Sequence, residues 1–177
     1  MKPITVLLAE DHTIVREGFR KMLELEKDLE VVGEAQNGRE AIALAAKFHP
    51  AVVLMDIAMP LLNGLEATRQ ILKELPKTRV LMLSAHSDYA YVENAIEAGA
   101  AGFLLKQTSA HEVCRAIREV QAGKTSELLL PRIDNSHMSA AARNGVTAWR
   151  WELQLKSRRQ EAQLPLLFTF EAAQTKP

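Results

Sequence analysis

Residues 1–124 predict an α/β domain, a doubly wound parallel sheet of five strands with helices on both faces. Two observations carry that reading. Short apolar runs recur along the chain, and between them lie segments whose apolar residues fall three and four apart. Strands and helices in strict alternation need crossover connections, which are right-handed and leave few topologies for so short a chain.

Taken in order, the strand candidates are Ile4–Ala9, Glu30–Ala35, Ala51–Met55, Val80–Leu83 and Gly102–Leu105. The first helical segment carries Val15, Phe19, Met22 and Leu23 on one face, and the second Ala41, Leu44, Ala45 and Phe48. The third presents Leu65, Thr68, Ile71, Leu72 and Leu75, the fourth Val92, Ala95, Ile96 and Gly99, and the fifth Val113, Ala116, Ile117 and Val120. Gly123 reads as the stop of that last helix.

Residues 125–177 differ in character. Residues 125–137 are polar, contain Pro131 and read as a linker, and Ser139 to Arg143 offer a short helical turn. The segment Trp149 to Lys156 alternates apolar and polar residues with period two, a strand pattern, and Leu166 to Phe170 is a second possible strand. A lone hairpin is marginal in water, so this tail does not read as an independent domain.

Composition narrows the function classes. An apolar share of 47% with 25% charged residues is globular. The 22 basic and 22 acidic residues cancel, so no global field favours nucleic acid or an anionic membrane. Cys114, the single cysteine, forms no internal disulfide and reads as a small core residue of the fifth helix. No stretch approaches a membrane span and the N-terminus lacks a signal-peptide plan, so the expectation is a soluble cytoplasmic protein.

Asp56 is the only charged residue between Ala51 and Leu65, and it directly follows the apolar run Ala51–Met55. A run so short and so apolar suits a strand buried on both faces. Its carboxyl end is where open α/β sheets place ligand sites. A buried charge there requires a metal ion or hydrogen bonds. Glu10 and Asp11 follow the first strand, Ser84 the fourth and Lys106 the fifth, so the parallel sheet brings all of them to one edge. Three carboxylates at that distance repel one another unless a cation joins them, and an all-oxygen set open to water suits Mg²⁺. Lys106 adds a compact positive charge for a phosphoryl oxygen and Ser84 a hydroxyl donor. The set describes a carboxylate nucleophile that accepts phosphate. Singly, Asp11 reads as a helix cap, Ser84 as a turn residue and Lys106 as a surface charge; their joint placement at four strand ends is what argues for a site.

The chain resembles the receiver domain of bacterial two-component response regulators. The segments that carry the resemblance are Val6 to His12, Met55 to Gly64, Leu83-Ser84-Ala85 and Ala101 to Lys106, all in order. It covers about residues 3–124 and implies the flavodoxin-like strand order 2-1-3-4-5. By this resemblance Asp56 is the phosphoacceptor, and Glu10, Asp11, Asp56 and the backbone carbonyl of Ala58 hold Mg²⁺. Lys106 pairs with the phosphoryl group, Ser84 moves to hydrogen-bond it, and Phe103 is the aromatic that turns inward, though it also reads as a plain core residue. Ala58 and His86 occupy positions that tune hydrolysis of the acyl phosphate; Ala58 cannot orient a water, and His86 otherwise reads as an exposed loop histidine. Glu10 stands where an aspartate is commoner. Gln107 stands where many receivers have proline, a pattern nearer the NarL/FixJ subfamily.

That resemblance implies a sensor histidine kinase as donor, a phosphorylation-dependent homodimer or docked partner as output, and no membrane contact. NarL/FixJ-type regulators usually carry a LuxR-type helix-turn-helix domain. The 53 residues from Thr125 to Pro177 are short for linker plus domain, and no recognition helix can be drawn in them. Loss of that domain by truncation or a shifted reading frame is one reading of the tail. The favoured expectation is therefore a phosphorylatable switch. The alternative is a DNA-binding transcriptional regulator with an abbreviated output domain. A turnover phosphatase is disfavoured, because no substrate pocket is evident.

Overall fold

The apolar runs pair side by side as five parallel strands, in the order β2-β1-β3-β4-β5. They are β1 (Ile4–Ala9), β2 (Leu29–Ala35), β3 (Val52–Asp56), β4 (Arg79–Ser84) and β5 (Gly102–Leu105). Between and after them run α1 (Thr13–Glu24), α2 (Gly38–Phe48), α3 (Gly64–Glu74), α4 (Tyr89–Glu97) and α5 (Ala110–Gln121). The coordinates are a computed structural model that describes residues 2–86 and 89–123, with Tyr89 described by its backbone alone. The tail from residue 125 onward, including the strand patterns at Trp149–Lys156 and Leu166–Phe170, lies outside the described residues.

Period-two alternation divides the core between the two faces of the sheet. Leu7, Val53, Met55, Val80, Met82 and Phe103 meet Ala41 and Ala45 of α2, Ala67 and Ile71 of α3, and Val92 and Ala95 of α4. Val6, Leu8, Leu54, Leu81, Leu83 and Leu104 face Leu23 of α1 and Val113, Cys114, Ile117 and Val120 of α5. Every residue of β3 is buried, as expected of a central strand covered on both sides. Cys114 is a buried core residue, and burial pushes its thiol pKa up. The helix starts follow local chemistry: Asn37 and Asn63 accept from Glu40 N–H and Glu66 N–H, and Ser109 with Glu112 forms a capping box. Gly123 takes the left-handed conformation just past α5, as a helix stop should.

Five strand boundaries differ from the sequence expectation by one residue each, with β3 beginning at Val52 and β4 at Arg79. β2 begins one residue earlier, at Leu29. Asp56 is the last residue of β3, and Ser84 the last of β4. The ladder outlasts the apolar run because the neighbouring strand is still there to pair with: Asp56 lies opposite Leu83, and Ser84 opposite Leu105. Ile57 N–H also donates to Leu83 O at 3.1 Å, and Lys106 N–H to Ser84 O at 2.8 Å. Both site residues are thereby fixed by sheet hydrogen bonds. Phe48 is another departure, since it ends α2 half outside the core with Lys47 Nζ 4.9 Å above its ring.

Candidate functional site

The ends of β1, β3 and β5 bring Glu10, Asp56 and Lys106 into contact. Glu10 follows Ala9, its N–H still pairing with Ala35 O at 3.0 Å. Lys106 Nζ lies 2.8 Å from Glu10 Oε2 and 2.9 Å from Asp56 Oδ2, and donates to Glu10 Oε1 at 3.0 Å. Glu10 and Asp56 are each only 2% exposed. Ligand atoms of Glu10, Asp11, His12 and Asp56 all lie within 4.8 Å of one another, an arrangement able to hold a metal ion.

Charge in this cluster is under-compensated. Three carboxylates face one lysine. Burial pushes the Asp56 carboxyl above its ordinary value, and the Glu10 charge pushes the same way. The Lys106 ammonium beside it and a backbone hydrogen bond from Ala58 oppose that rise without cancelling it. Burial draws the Lys106 ammonium down, yet its close contacts with the Glu10 and Asp56 carboxylates outweigh burial and hold its pKa above the ordinary value. Glu10 Oε2, Asp11 Oδ1 and Asp56 Oδ2 are buried with no directed hydrogen bond. The lysine reaches two of these oxygens by charge, but off the hydrogen-bond direction. Buried anionic oxygens in that condition are suited to a hard divalent cation.

Surrounding elements hold the acids rigidly. Arg16 of α1 is buried, unlike any other arginine among the described residues, and donates through Nη1 to Glu10 O at 2.7 Å. Its Nε pairs with Glu34 Oε2 at 3.2 Å, which ties the loop after β1 to the edge strand. The sequence pattern missed Arg16, because a charge at a helical core position reads as solvent-facing. After Asp56 the chain turns sharply. Leu62 N–H donates to Pro60 O at 2.7 Å across Leu61, whose φ is 64°. Gly64 N–H then returns to Ile57 O at 3.0 Å, and Gly38 N–H holds Leu62 O at 2.9 Å.

The remaining expected residues fall as follows. Ser84 is buried, and its hydroxyl donates to His86 O at 2.9 Å and accepts from His86 N–H at 3.0 Å. His86 is exposed and stacks on Tyr91 of α4 at 5.7 Å, a partner that the sequence pattern did not single out. Phe103 is 3% exposed, inside the core on the α4 side of the sheet. Ala58 is exposed beside Asp56. Asp11 is not a helix cap: the N-cap of α1 is His12, with no side-chain cap hydrogen bond. Instead Asp11 Oδ1 lies 2.9 Å from His12 Nδ1.

A doubly wound sheet of order 2-1-3-4-5, with an acid cluster and a lysine at its carboxyl edge, defines a class of protein: the receiver domains of two-component signalling. The chain belongs to the response regulator receiver domain family, which it matches over residues 6–118. It is 40% identical over 120 residues to the transcriptional regulatory protein DegU of Brevibacillus brevis, covering 68% of this chain and 51% of that one. It is 38% identical over 156 residues to the transcriptional regulatory protein LiaR of Bacillus subtilis, covering 85% and 74%. The chain thus spans from about half to about three quarters of the length of these curated relatives. Among solved structures, the receiver domain of the putative response regulator NarL from Mycobacterium tuberculosis superposes with a TM-score of 0.68 at 37% identity, over 70% of this chain and 100% of that one. A LuxR-family two-component response regulator from Aurantimonas superposes with a TM-score of 0.68 at 31% identity, over 85% and 99%.

Proposed function

We propose that Asp56 is the phosphoacceptor of a two-component switch, charged by a sensor histidine kinase and acting in the cytoplasm. The observation that carries this reading is the under-compensated cluster itself: a buried carboxylate at a strand end, two further acids and one lysine within contact distance. Asp56 Oδ would attack the incoming phosphorus while the donor's leaving group departs. Glu10, Asp11 and Asp56, with the backbone carbonyl of Ala58, would hold Mg²⁺, whose chemistry there is to neutralise charge on the transferring phosphoryl oxygens. Lys106, in contact with both Glu10 and Asp56, would pair with a phosphoryl oxygen. Ser84 would exchange its hydrogen bonds to His86 for one to the phosphoryl group, and Phe103 would respond from its buried position. Ala58 offers no side chain to orient an attacking water, so His86 is the residue there to tune hydrolysis.

The receiver unit is taken as residues 1–124, with residues 125–177 as linker and tail. Its output is read from its relatives: DegU and LiaR carry the name transcriptional regulatory protein, which favours control of transcription as the purpose of the switch. DNA contact would require an output domain. Self-catalysed phosphoacceptance and slow autodephosphorylation are the only chemistry proposed; turnover of a separate substrate is not.

The test is phosphorylation by acetyl phosphate or a histidine kinase with Mg²⁺. Wild-type protein should label and Asp56→Asn should not. Lys106→Ala should still label, but with its conformational response weakened, because the lysine stabilises charge and is not the nucleophile. Labelling of Asp56→Asn at the wild-type level would sink the assignment.

A further inference from the structure

We propose that Arg16 is a positioning residue for the acid cluster: by gripping the backbone of Glu10 it fixes how Glu10 and Asp11 present their carboxylates to Mg²⁺. The inference rests on the reading of that cluster as the metal site of a phosphoacceptor. Glu10 lies one residue past the end of β1, where the ladders of that strand to β2 and β3 have both stopped at Ala9. Its N–H still pairs with Ala35 O at 3.0 Å, while its carbonyl, beyond the sheet, accepts from Arg16 Nη1 at 2.7 Å. The peptide group that carries this carbonyl runs on into Asp11, and it is planar. A bond that fixes the Glu10 oxygen therefore also fixes the plane from which the Asp11 Cα departs. Arg16 thus acts on two of the acids through one backbone atom.

Burying a guanidinium is costly unless its donors are matched. Arg16 is 7% exposed, and its Nε reaches Glu34 Oε2 at 3.2 Å on the edge strand β2. Glu34 is held in turn by Arg20 Nη1 at 2.6 Å, and Arg20 Nε pairs with Glu24 Oε1 at 2.8 Å. The fork is thereby anchored from α1 and β2, away from the acids it serves. Charge and geometry make opposite demands here. A cation beside a metal site repels the metal, so the field of Arg16 alone would weaken Mg²⁺ binding. The positive charge that contacts the Glu10 and Asp56 carboxylates comes from Lys106, whereas the Arg16 bond goes to the Glu10 backbone. What the guanidinium adds is direction: donors in a rigid planar fork reach Glu10 O and Glu34 together, which one ammonium on a flexible stem does not.

The experiment measures Mg²⁺ affinity by calorimetry on the full chain, for wild type, Arg16→Lys and Arg16→Met, beside the unfolding midpoint in denaturant without divalent ions. Both substitutions should weaken Mg²⁺ binding about tenfold, the loss expected when a metal ligand loses the group that orients it. Labelling by acetyl phosphate should then need more Mg²⁺ to reach half its rate, while the rate at saturating Mg²⁺ stays within about twofold of wild type. Arg16→Lys keeps the charge and carries the test should Arg16→Met fail to fold. Mg²⁺ affinity unchanged or raised in Arg16→Met overturns the proposal even if the midpoint falls, because packing alone would then explain the residue. Wild-type affinity in Arg16→Lys overturns it as well. Wild-type protein that binds no Mg²⁺ would defeat the reading of the acid cluster and this proposal with it; wild-type binding that the variants retain defeats the proposal alone.

Discussion

Asp56 is held in a place that penalises its charge, and that penalty has a sign. Its carboxyl, raised by burial above the ordinary value of 3.8, keeps its proton to higher pH in the folded chain than in the unfolded one. Between those two values the folded state binds more protons, so stability falls as pH rises through that window, and the loss persists above it. An uncharged side chain escapes this cost. Asp56→Asn should therefore melt above wild type at pH 7 without divalent ions, by a margin that shrinks toward pH 4. Melting temperatures across pH check this; a variant less stable at pH 7 would contradict it. Added Mg²⁺ should narrow the margin by stabilising wild type alone. Asp56, Glu10 and Lys106 were legible in the sequence because charge after an apolar run is conspicuous. Arg16 was not, since helical spacing does not reveal a charge that turns back toward the strand ends.

The loop between β3 and α3 sets where Asp56 points, and a missing side chain makes that possible. A Cβ on Gly64 would fall 1.9 Å from the carbonyl oxygen of Asp56. Gly64 has no positive φ among the described glycines, so it is space and not backbone conformation that requires glycine. Gly38 meets the same loop from α2, its missing Cβ leaving room for Leu62 O, 2.5 Å from where that atom would sit. Gly64→Ala should thus cost roughly 3 kcal/mol or more, since backbone cannot yield as a flexible side chain does. Denaturant titration measures it, and a loss under about 1 kcal/mol would show that the loop relaxes freely. The sequence marked this turn through Met59-Pro60-Leu61-Leu62-Asn63-Gly64, but not its tightness. Strand ends were misplaced for a related reason: pairing of β3 with β4 and of β4 with β5 extends past the apolar residues, and no local pattern reports a partner strand.

The fold as a whole was readable because alternation of strand and helix admits few arrangements, and the order β2-β1-β3-β4-β5 puts every strand end carrying a site residue next to another. β1, β3, β4 and β5 are contiguous, so Glu10, Asp56, Ser84 and Lys106 lie at or just past the ends of neighbouring strands. Under the proposed function, a change at Asp56 would pass outward at the end of β4, where Ser84 is bonded to His86 and His86 stacks on Tyr91 of α4. We propose the face formed by α4, β5 and α5 as the output surface. Acetyl phosphate with Mg²⁺ should convert the protein from monomer to dimer by light scattering if that face pairs with a second copy; an unchanged mass would exclude the dimer as output. The central claim is narrower and is tested most directly by locating the phosphoryl group. Borohydride reduction of protein treated with acetyl phosphate converts an aspartyl phosphate to homoserine, which peptide mass spectrometry can place. Phosphoacceptance by Asp56 predicts homoserine at position 56 alone, dependent on Mg²⁺; reduction at Asp11 or elsewhere, with Asp56 intact, would contradict it.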